Sequence, residues 1–364
     1  MAVLSNSASR GAQIRSILTD MAEAIANSRS VDAAVSPSAV TGPGPFAQGS
    51  RYNAYGAFLK EKFGCRVYKV IVDGGFTCPN RDGTVAVGGC TYCNNDSFRP
   101  EAVSRLKPIR EQVKNGIDYL RRRYRARKFV VYFQPFTNTY APLETLVPMY
   151  EAALDHPEVV GLSIGTRPDC VDDTKLAWFE ELSRSRFVTL EYGLESIYDR
   201  TLARINRGHD FDCWLNAIQR TRNRGIYLCT HLILGFPWES RAEMLAMAPV
   251  VSDSGIDFLK LHHLHIVRHT ALGREYQNQP FRLLAYREYL DLLVEFLEVL
   301  NPAIRLERLF GLAPEDQLLG PHWGKTKAEI QYEIERTLAG RDTYQGRLYP
   351  APLVSGPAQL GELM

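Results

Sequence analysis

The sequence predicts an α/β fold built around a parallel β-sheet. From Arg51 onward, short apolar segments rich in β-branched and aromatic residues alternate with longer segments in which apolar residues recur at helical spacing. Two parallel strands must be joined by a crossover, usually a helix, so this alternation indicates successive right-handed strand–helix–strand units. The predicted strands are apolar almost throughout, as expected when both faces of a sheet are covered.

Six strands and five intervening helices follow from this pattern. The predicted strands cover residues 67–72, 129–133, 159–164, 187–192, 227–234 and 258–266. The predicted helices cover residues 109–125, 143–154, 173–183, 211–224 and 241–251. Most of the strand segments are too short for helices and are rich in β-branched and aromatic residues, whereas the helical segments carry their apolar residues on one face.

Polar side chains cluster directly after the predicted strands. A loop with three cysteines follows the first strand, Gln134 follows the second, Thr166 and Arg167 follow the third, and Glu195 follows the fourth. An open doubly wound sheet and a partial barrel both fit the alternation, but active sites of β/α barrels lie at the carboxyl ends of the strands. The sequence also lacks the glycine-rich fingerprint of a dinucleotide-binding open sheet. We therefore expect a partial (β/α)6 barrel.

The chain divides into four predicted parts. They are a disordered tail (1–50), the barrel core (51–268), an α/β extension packed on the core (269–348) and a loose tail (349–364). The first tail is rich in Ala, Ser, Gly and Pro and has one predicted amphipathic helix at 14–25. The extension has predicted helices at 283–300 and 325–338 and a strand at 304–309. We expect no membrane partner, because no apolar run reaches the roughly 18 residues that span a bilayer.

Three cysteines in the first loop form the most informative motif. Cys78, Cys90 and Cys93 lie close together, and the nearest histidine in sequence is His156. A closed structural zinc site has four protein ligands, and an iron–sulfur cubane prefers a cysteine at every iron. Three thiols therefore suggest a cluster with one open iron, while a zinc site or unrelated thiols remain alternatives. Disulfides are disfavoured because the seven cysteines are odd in number and the chain shows no secretory signal.

The charge is nearly balanced overall but uneven along the chain. The formal net charge is +2, which argues against a global attraction to nucleic acid. Six cations nevertheless fall within residues 121–128, at the end of a predicted helix. Such a run suits the negative end of a helix dipole, and it also predicts a patch that binds phosphates.

Several phrases together resemble the radical S-adenosylmethionine (SAM) superfamily, in particular its YhcC-like branch, which is related to the elongator-type radical enzymes. The phrases are RYNAYGAFLKEKFGCRVYKV, TCPNRDGTVAVGGCTYCN, SIGTRPD, LEYGLES, INRGHDF, THLILGFPWES and WGKTKAEI. The resemblance extends from Arg51 to about Gly346 and implies a partial barrel of radical SAM type. The eleven residues between the first two cysteines exceed the commonest spacing of the family but are typical of this branch.

The resemblance implies the cofactors. Cys78, Cys90 and Cys93 would bind three irons of a [4Fe–4S] cluster, and the fourth iron would bind the methionine part of SAM. One electron, from a donor of the flavodoxin or ferredoxin type, would cleave SAM to a 5′-deoxyadenosyl radical that abstracts a hydrogen atom. The cofactor would supply the difficult chemistry, and the protein would orient it.

The resemblance also suggests residues that contact SAM. Tyr92 would lie near the adenine, and Glu195 and His231 near the ribose, where a carboxylate accepts two hydrogen bonds from a diol. Each has a structural alternative: core packing for Tyr92, a charge at a helix amino terminus for Glu195 and a satisfied barrel histidine for His231. No residue is identified as a catalytic acid.

The methionine end of SAM has its own candidate contacts. Arg167, which follows Thr166 at the end of the third strand, could hold the carboxylate with its guanidinium fork, or instead bridge to Asp169. Gln134 could accept a hydrogen bond from the ammonium. His263 and His265 would share a face of the last strand and could line the substrate cavity, although two histidines are weak evidence for a second metal.

The leading functional prediction is a radical SAM enzyme that modifies tRNA at the wobble uridine. It depends on the similarity to elongator-type enzymes and on the basic run 121–128. A radical reaction on a small metabolite is the alternative within enzymes, and a non-catalytic iron–sulfur redox sensor is the alternative from another class. Free thiols suit a reducing compartment, so we expect a cytoplasmic protein.

Overall fold

The computed structural model describes residues 43–94 and 107–349. The predicted helix at 14–25, most of the predicted tail 1–50 and nearly all of the tail 349–364 lie outside the described residues. No helix among the described residues is both long enough and apolar enough to cross a membrane.

Seven parallel strands form one curled sheet, a half-barrel. In spatial order they are β1 (Val67–Val72), β2 (Lys128–Phe133), β3 (Val159–Thr166), β4 (Phe187–Glu195), β5 (Tyr227–Leu234), β6 (Phe258–His263) and β8 (Arg305–Arg308). The prediction of a partial α/β barrel is confirmed. Strands that are neighbours in sequence pair in parallel throughout β1 to β6, so a crossover connects the two strands of each pair.

Helices precede, connect and follow these strands. They are α1 (Tyr55–Phe63), α2 (Ile109–Tyr124), α3 (Leu143–Leu154), α4 (Asp173–Ser183), α5 (Asp199–Arg204), α6 (Phe211–Thr221), α7 (Arg241–Ser252), α8 (Ala271–Asn278), α9 (Tyr286–Val299) and α10 (Lys327–Gly340). Side-chain caps fix the start of five of them, because each cap residue accepts a backbone N–H of the first turn. The cap residues are Asp172, Asp210, Ser240, Thr270 and Thr326.

Several boundaries differ from the prediction for local reasons. Helix α2 ends one residue early because Arg125 adopts a left-handed conformation with φ of 54°. Strand β4 continues to Glu195 through an irregularity in its pairing with β5. The predicted strand 258–266 is interrupted after His263, and Ile266–Val267 forms a separate strand, β7.

The C-terminal part extends the sheet as well as packing on it. Strand β8 pairs with β6 and becomes the last strand, while β7 pairs antiparallel with β9 (Leu318–Gly320). The segment before α1 also reaches this edge, where the backbone N–H of Leu306 donates to the Asn53 carbonyl at 2.7 Å. The described residues on either side of position 268 are therefore joined by backbone hydrogen bonds.

Helix α1 closes the amino-terminal end of the half-barrel with aromatic side chains. Tyr55 packs edge-on against Phe258 with 4.8 Å between ring centroids, and Phe58 packs against both Phe258 and Tyr227. Phe187, Tyr227 and Phe258 are the first residues of β4, β5 and β6. The end of the barrel opposite the carboxyl ends of the strands is thus filled by an apolar layer.

The basic run 121–128 lies at this closed end. It connects the end of α2 to the start of β2. Arg121 pairs with Glu158 at 2.5 Å, and Lys128 donates to the Phe63 carbonyl at 3.0 Å. Because a six-residue strand spans about 20 Å, the run is separated from the carboxyl ends of the strands by roughly that distance.

Candidate active site

A cavity opens at the carboxyl ends of the strands and gathers every residue predicted to bind metal or cofactor. Its lining includes Cys78, Cys90, Cys93, Tyr92, Gln134, Thr166, Arg167, Glu195 and His231. These residues come from loops or strand ends that are far apart in sequence. The curled parallel sheet brings them together, because all of its strands end at the same face.

Turns and hydrogen bonds fold the long cysteine loop back on itself. The backbone N–H of Gly89 donates to the Asn80 carbonyl at 2.7 Å, which brings Cys90 towards Cys78. The N–H of Cys93 donates to the Cys90 carbonyl at 3.0 Å, forming a tight turn between these two cysteines. All three cysteines are free thiols. Burial and the neighbouring Cys90 raise the pKa of the Cys93 thiol to about 11.

Arg207 is a site residue without a role in the sequence prediction. It belongs to the phrase INRGHDF between α5 and α6 and is almost fully buried. Its guanidinium donates to the Gly193 carbonyl at 2.7 Å, approaches the Cys90 Sγ at 3.6 Å and lies 3.6 Å from a Glu195 oxygen. This buried cation therefore lies beside both a candidate iron ligand and a candidate SAM contact.

A glycine makes this arrangement possible. Gly208 follows Arg207 and has φ of +73°, and a Cβ there would lie 2.3 Å from the Asn80 Oδ1. Asn80 is fully buried and donates to the Cys90 Sγ at 3.5 Å. The glycine thus lets the loop of Arg207 approach the cysteine loop closely.

Glu195 ends β4 in a conformation that is unusual for its residue type. Its φ is 74°, in the left-handed region that disfavours side chains with a Cβ, and it is 8% exposed. Buried residues held in such conformations cluster at functional sites, because the surrounding structure must enforce them. Glu195 therefore lies in the cavity wall rather than at an exposed helix terminus.

The guanidinium fork of Arg167 is already occupied. It binds the Asp169 carboxylate through two hydrogen bonds of 2.8 and 2.6 Å and donates to the Arg207 carbonyl at 2.7 Å. The bridge to Asp169, one of the two predicted alternatives, is therefore present. The Thr166 hydroxyl is 2.6 Å from the Thr139 hydroxyl, which in turn donates to the Cys170 carbonyl. Arg167 and Thr166 thus hold the loops around the cavity in place.

Tyr92 and Gln134 contribute to the cavity wall from two sides. The Tyr92 ring packs edge-on against Phe236, which follows β5, at 6.4 Å between centroids. Gln134 follows β2 directly and is half-buried. An aromatic ring and a side-chain amide thus line the cavity.

A buried charged layer crosses the half-barrel beneath the cavity. Glu191 of β4 is fully buried and accepts hydrogen bonds from Lys69 at 2.7 Å, His231 at 3.0 Å, Lys260 and Ser163. Burial opposes the ionisation of Glu191, but the two lysines outweigh it and hold its pKa well below the usual value. His231 therefore donates its Nε2–H to a carboxylate, which leaves Nδ1 as the atom that can accept.

Every strand of the sheet contributes one polar side chain to this layer. They are Lys69, Tyr132, Ser163, Glu191, His231, Lys260 and Glu307. The sequence prediction missed this layer, although single charged residues inside apolar strands, such as Lys69 in VYKVIV and Lys260 in FLKLHH, were its signal. Every second side chain of a strand points into the half-barrel. Along β4, Glu191 therefore lies between Phe187 at the closed end and Glu195 at the cavity.

In the described part of the chain, the charged layer contains one group of side chains close enough together to hold a metal ion, but lysines engage its carboxylate. Glu191, Cys229 and His231 place ligand atoms within 4.8 Å of one another, but the ammonium groups of Lys69 and Lys260 already occupy the carboxylate. His263 stacks on Trp323 with 3.7 Å between centroids and packs against His265 at 4.0 Å. Both histidines line the cavity.

Comparisons with known proteins agree with this geometry. Residues 78–248 match the family model described as the Radical SAM superfamily, and residues 256–339 match that of the Radical_SAM C-terminal domain. The chain is 36% identical to the uncharacterized protein YtqA of Bacillus subtilis over 82% of this chain and 93% of that protein. It is 37% identical to protein YhcC of Escherichia coli K12 over 79% of this chain and 92% of that protein.

More distant similarities concern fewer residues. A tRNA uridine(34) acetyltransferase of Methanocaldococcus infernus is 24% identical over 153 residues, which cover 41% of this chain and 28% of that protein. The structure of the archaeal M. infernus Elp3 with an N-terminal deletion superposes with a TM-score of 0.60 at 16% identity, covering 77% of this chain and 64% of that chain. At this identity the superposition supports the fold alone.

Proposed function

The chain belongs to the radical SAM superfamily, and from this premise we propose that it cleaves SAM at its cysteine loop to start a hydrogen abstraction in tRNA, at the wobble uridine. The cofactors of this superfamily are a [4Fe–4S] cluster and SAM. The single observation that carries the proposal is the convergence of three free thiols and six further predicted residues on one cavity.

The residues around the cavity fit these cofactors. Cys78, Cys90 and Cys93 supply three thiols, which matches a cubane with one iron left for SAM. Arg207 offers a positive charge and an N–H beside the Cys90 sulfur, and both features suit an anionic cluster. A Cβ at Gly193 would lie 2.5 Å from both Arg207 and Glu195, so the glycine keeps space open beside these two side chains.

When bound, the cluster and SAM supply the electron transfer and the 5′-deoxyadenosyl radical. The protein's own residues bind and orient. Glu195 accepts hydrogen bonds from the ribose hydroxyls, and His231 accepts another at Nδ1 because Glu191 holds its Nε2. Tyr92 packs near the adenine, and Gln134 accepts from the ammonium of the methionine part.

Arg167 and Thr166 take an indirect role in this proposal. Arg167 is committed to Asp169 and to the Arg207 carbonyl, so it positions the loop of Arg207 rather than binding the cofactor carboxylate. Thr166 is engaged with Thr139 and supports the same wall.

A redox sensor that lacks catalysis fits the cavity less well. Sensing requires a cluster, but it requires neither a buried carboxylate in a strained conformation nor a cavity wall of polar side chains next to the cluster. Glu195, with φ of 74° beside Arg207, is the observation that favours an enzyme.

The tRNA substrate is supported by the sequence similarity to a tRNA uridine(34) acetyltransferase. The basic run 121–128 supports a tRNA substrate only as a contact surface far from the cavity. It lies at the closed end of the barrel, so it can bind phosphates of a large RNA but not those of the nucleotide that enters the cavity.

Two linked measurements test the proposal. Anaerobically reconstituted, reduced protein should release 5′-deoxyadenosine and methionine from SAM, and transfer RNA lacking the modification should accelerate the release. Absence of 5′-deoxyadenosine from cluster-loaded protein would leave the sensor as the better interpretation. Release that responds to small metabolites but not to tRNA would assign the chain to metabolite chemistry.

A further inference from the structure

Arg308 is a cation of the cavity wall that has no carboxylate partner among residues 43–94 and 107–349. Among the described residues, the Lys and Arg side chains that line the cavity are Arg81, Arg167, Arg207, Lys260 and Arg308. Asp169 pairs with Arg167, and Glu191 and Glu307 pair with Lys260. Glu195 lies beside Arg207, and Arg81 is committed to the cysteine loop, where it donates to the Cys93 carbonyl at 2.9 Å. Arg308 instead contacts an imidazole, that of His262, at 3.4 Å.

This imidazole does not balance the charge of Arg308. Burial, reinforced by the charge of Arg308, holds the pKa of His262 well below its usual value, so the ring is neutral near pH 7. A neutral ring can accept the hydrogen bond from the guanidinium at Nε2. The site therefore keeps a full positive charge at the cavity wall.

Arg308 lies at the solvent-exposed edge of the cavity. It is the last residue of β8, and it lines the cavity together with Tyr132 and His265. The loop after β8 lies tightly against the same histidines, because a Cβ at Gly311 would be 2.7 Å from His265 and 2.9 Å from His262. The acceptor of the Arg308 hydrogen bond is thus held in place by packing.

We propose that Arg308, supported by His262, is the subsite that binds an anionic group of the substrate, a phosphate or a carboxylate. A guanidinium binds either oxyanion through two parallel hydrogen bonds, and it remains charged at any physiological pH. The carboxylates in the described lining of the cavity lie beside other cations, so their negative charge is already balanced when an anion arrives. This inference rests on the proposed function, since it assigns a charge to the substrate of the same cavity.

Three uridine probes distinguish the two anions from each other and from a neutral ligand. They are uridine 5′-monophosphate, uridine 5′-carboxylate and uridine, titrated by calorimetry into cluster-loaded protein that contains SAM. We expect at least one charged probe to bind about ten- to hundredfold more tightly than uridine, as loss of a charged hydrogen bond typically changes affinity. The charged probe that binds more tightly identifies the anion.

Matched variants locate the site. Arg308→Gln should abolish the preference for the charged probe, and Arg308→Lys should restore part of it. Arg305→Gln is the control, because Arg305 lies at the other end of the same strand, over the Phe58 ring at 4.3 Å, and its variant should keep the full preference.

The outcomes separate this inference from the proposed function. If wild-type protein binds neither charged probe more tightly than uridine, or if Arg308→Gln retains the preference, the anion subsite is refuted even when 5′-deoxyadenosine is released normally. If no 5′-deoxyadenosine is released but the preference depends on Arg308, the subsite stands and the proposed reaction fails.

Discussion

Lys69 and Glu307 form an ion pair of 2.6 Å between the two edge strands of the half-barrel, which share no backbone hydrogen bonds. Lys69 belongs to β1 and Glu307 to β8, and both side chains are largely buried. The pair belongs to the charged layer, where Glu191 and Lys260 complete a set of two cations and two anions. Side chains rather than backbone thus join the two edges beneath the cavity.

Because the charges in this layer balance, we expect the effects of replacing Lys69 and Glu307 on the free energy of unfolding to be strongly coupled. Lys69→Met or Glu307→Gln alone leaves the buried layer with one uncompensated charge, and each should lower the free energy of unfolding by about 3–5 kcal/mol. The double variant leaves Glu191 and Lys260 as a balanced pair, so its loss should be clearly smaller than the sum of the single losses. Urea unfolding of the three variants measures this coupling.

The control for this experiment is an exposed ion pair. Lys114 and Asp118 lie one turn apart on α2 with an N–O distance of 2.8 Å, and their side chains are 70% and 32% exposed to solvent. Their single and double variants should change stability by about 0.5 kcal/mol or less. Additive losses for Lys69 and Glu307 would contradict the view that the layer acts as one unit.

The sequence predicted the strands and the residues that line the cavity better than it predicted the contacts between those residues. The spacing of apolar residues and the residue composition located β1 to β6. Glu195 was expected at the cavity because it follows a predicted strand, and it lies there. The partner of Arg167 could not be decided from sequence, because Asp169 and a cofactor carboxylate offer the same chemistry to a guanidinium. Arg207 and Arg308 were missed because their contacts depend on a loop crossing and on the curl of the sheet, which no local pattern encodes.

Cluster loading should depend on three cysteines and on no others. Anaerobic reconstitution should give about four irons and four sulfides per chain, the stoichiometry of one cubane. Replacing Cys78, Cys90 or Cys93 by Ala should abolish stable loading, as measured by iron and sulfide analysis. Cys65→Ala is the matched control, because Cys65 is a free thiol that lies before β1, at the other end of the strand from Cys78. Stoichiometric zinc without iron in the wild-type protein would refute the cluster assignment.

Glu195 should contribute to SAM affinity without affecting the cluster. Loss of a charged hydrogen bond costs about 1.5–3 kcal/mol, so Glu195→Ala should weaken SAM binding roughly ten- to hundredfold in equilibrium dialysis. Iron content should stay at the wild-type level. The exposed Glu275, which pairs with Arg204 at 2.9 Å, provides a control whose replacement by Ala leaves SAM affinity unchanged. An unaltered SAM affinity in Glu195→Ala would show that the carboxylate only balances Arg207.

The stability of the fold should depend on the ionisation of Glu239. This residue lies in the phrase THLILGFPWES after β5 and is 6% exposed. Ser196 donates to its Oε1 at 2.6 Å, whereas its Oε2 has no hydrogen-bond partner among the described residues. Burial raises its pKa from 4.5 to about 7.

The raised pKa of Glu239 determines whether the free energy of unfolding rises or falls with pH. Below pH 4.5 the carboxyl group is protonated in both the folded and unfolded states, so it costs no stability. As the pH rises towards 7 and above, the unfolded state ionises first, and the folded state must then hold a buried, poorly solvated carboxylate. A tenfold difference in proton affinity between the two states corresponds to about 1.4 kcal/mol, so the loss of stability should approach about 3 kcal/mol above pH 8.

Glu239→Gln should remove this loss. The variant should match the wild-type protein at about pH 4 and exceed its free energy of unfolding above about pH 8, as measured by urea unfolding between about pH 4 and 9. Glu181→Gln is the control, because Glu181 is an exposed carboxylate paired with Arg184 at 2.7 Å and should not change the slope. A constant difference between Glu239→Gln and wild-type protein across this range would mean that Glu239 keeps its ordinary pKa in the fold.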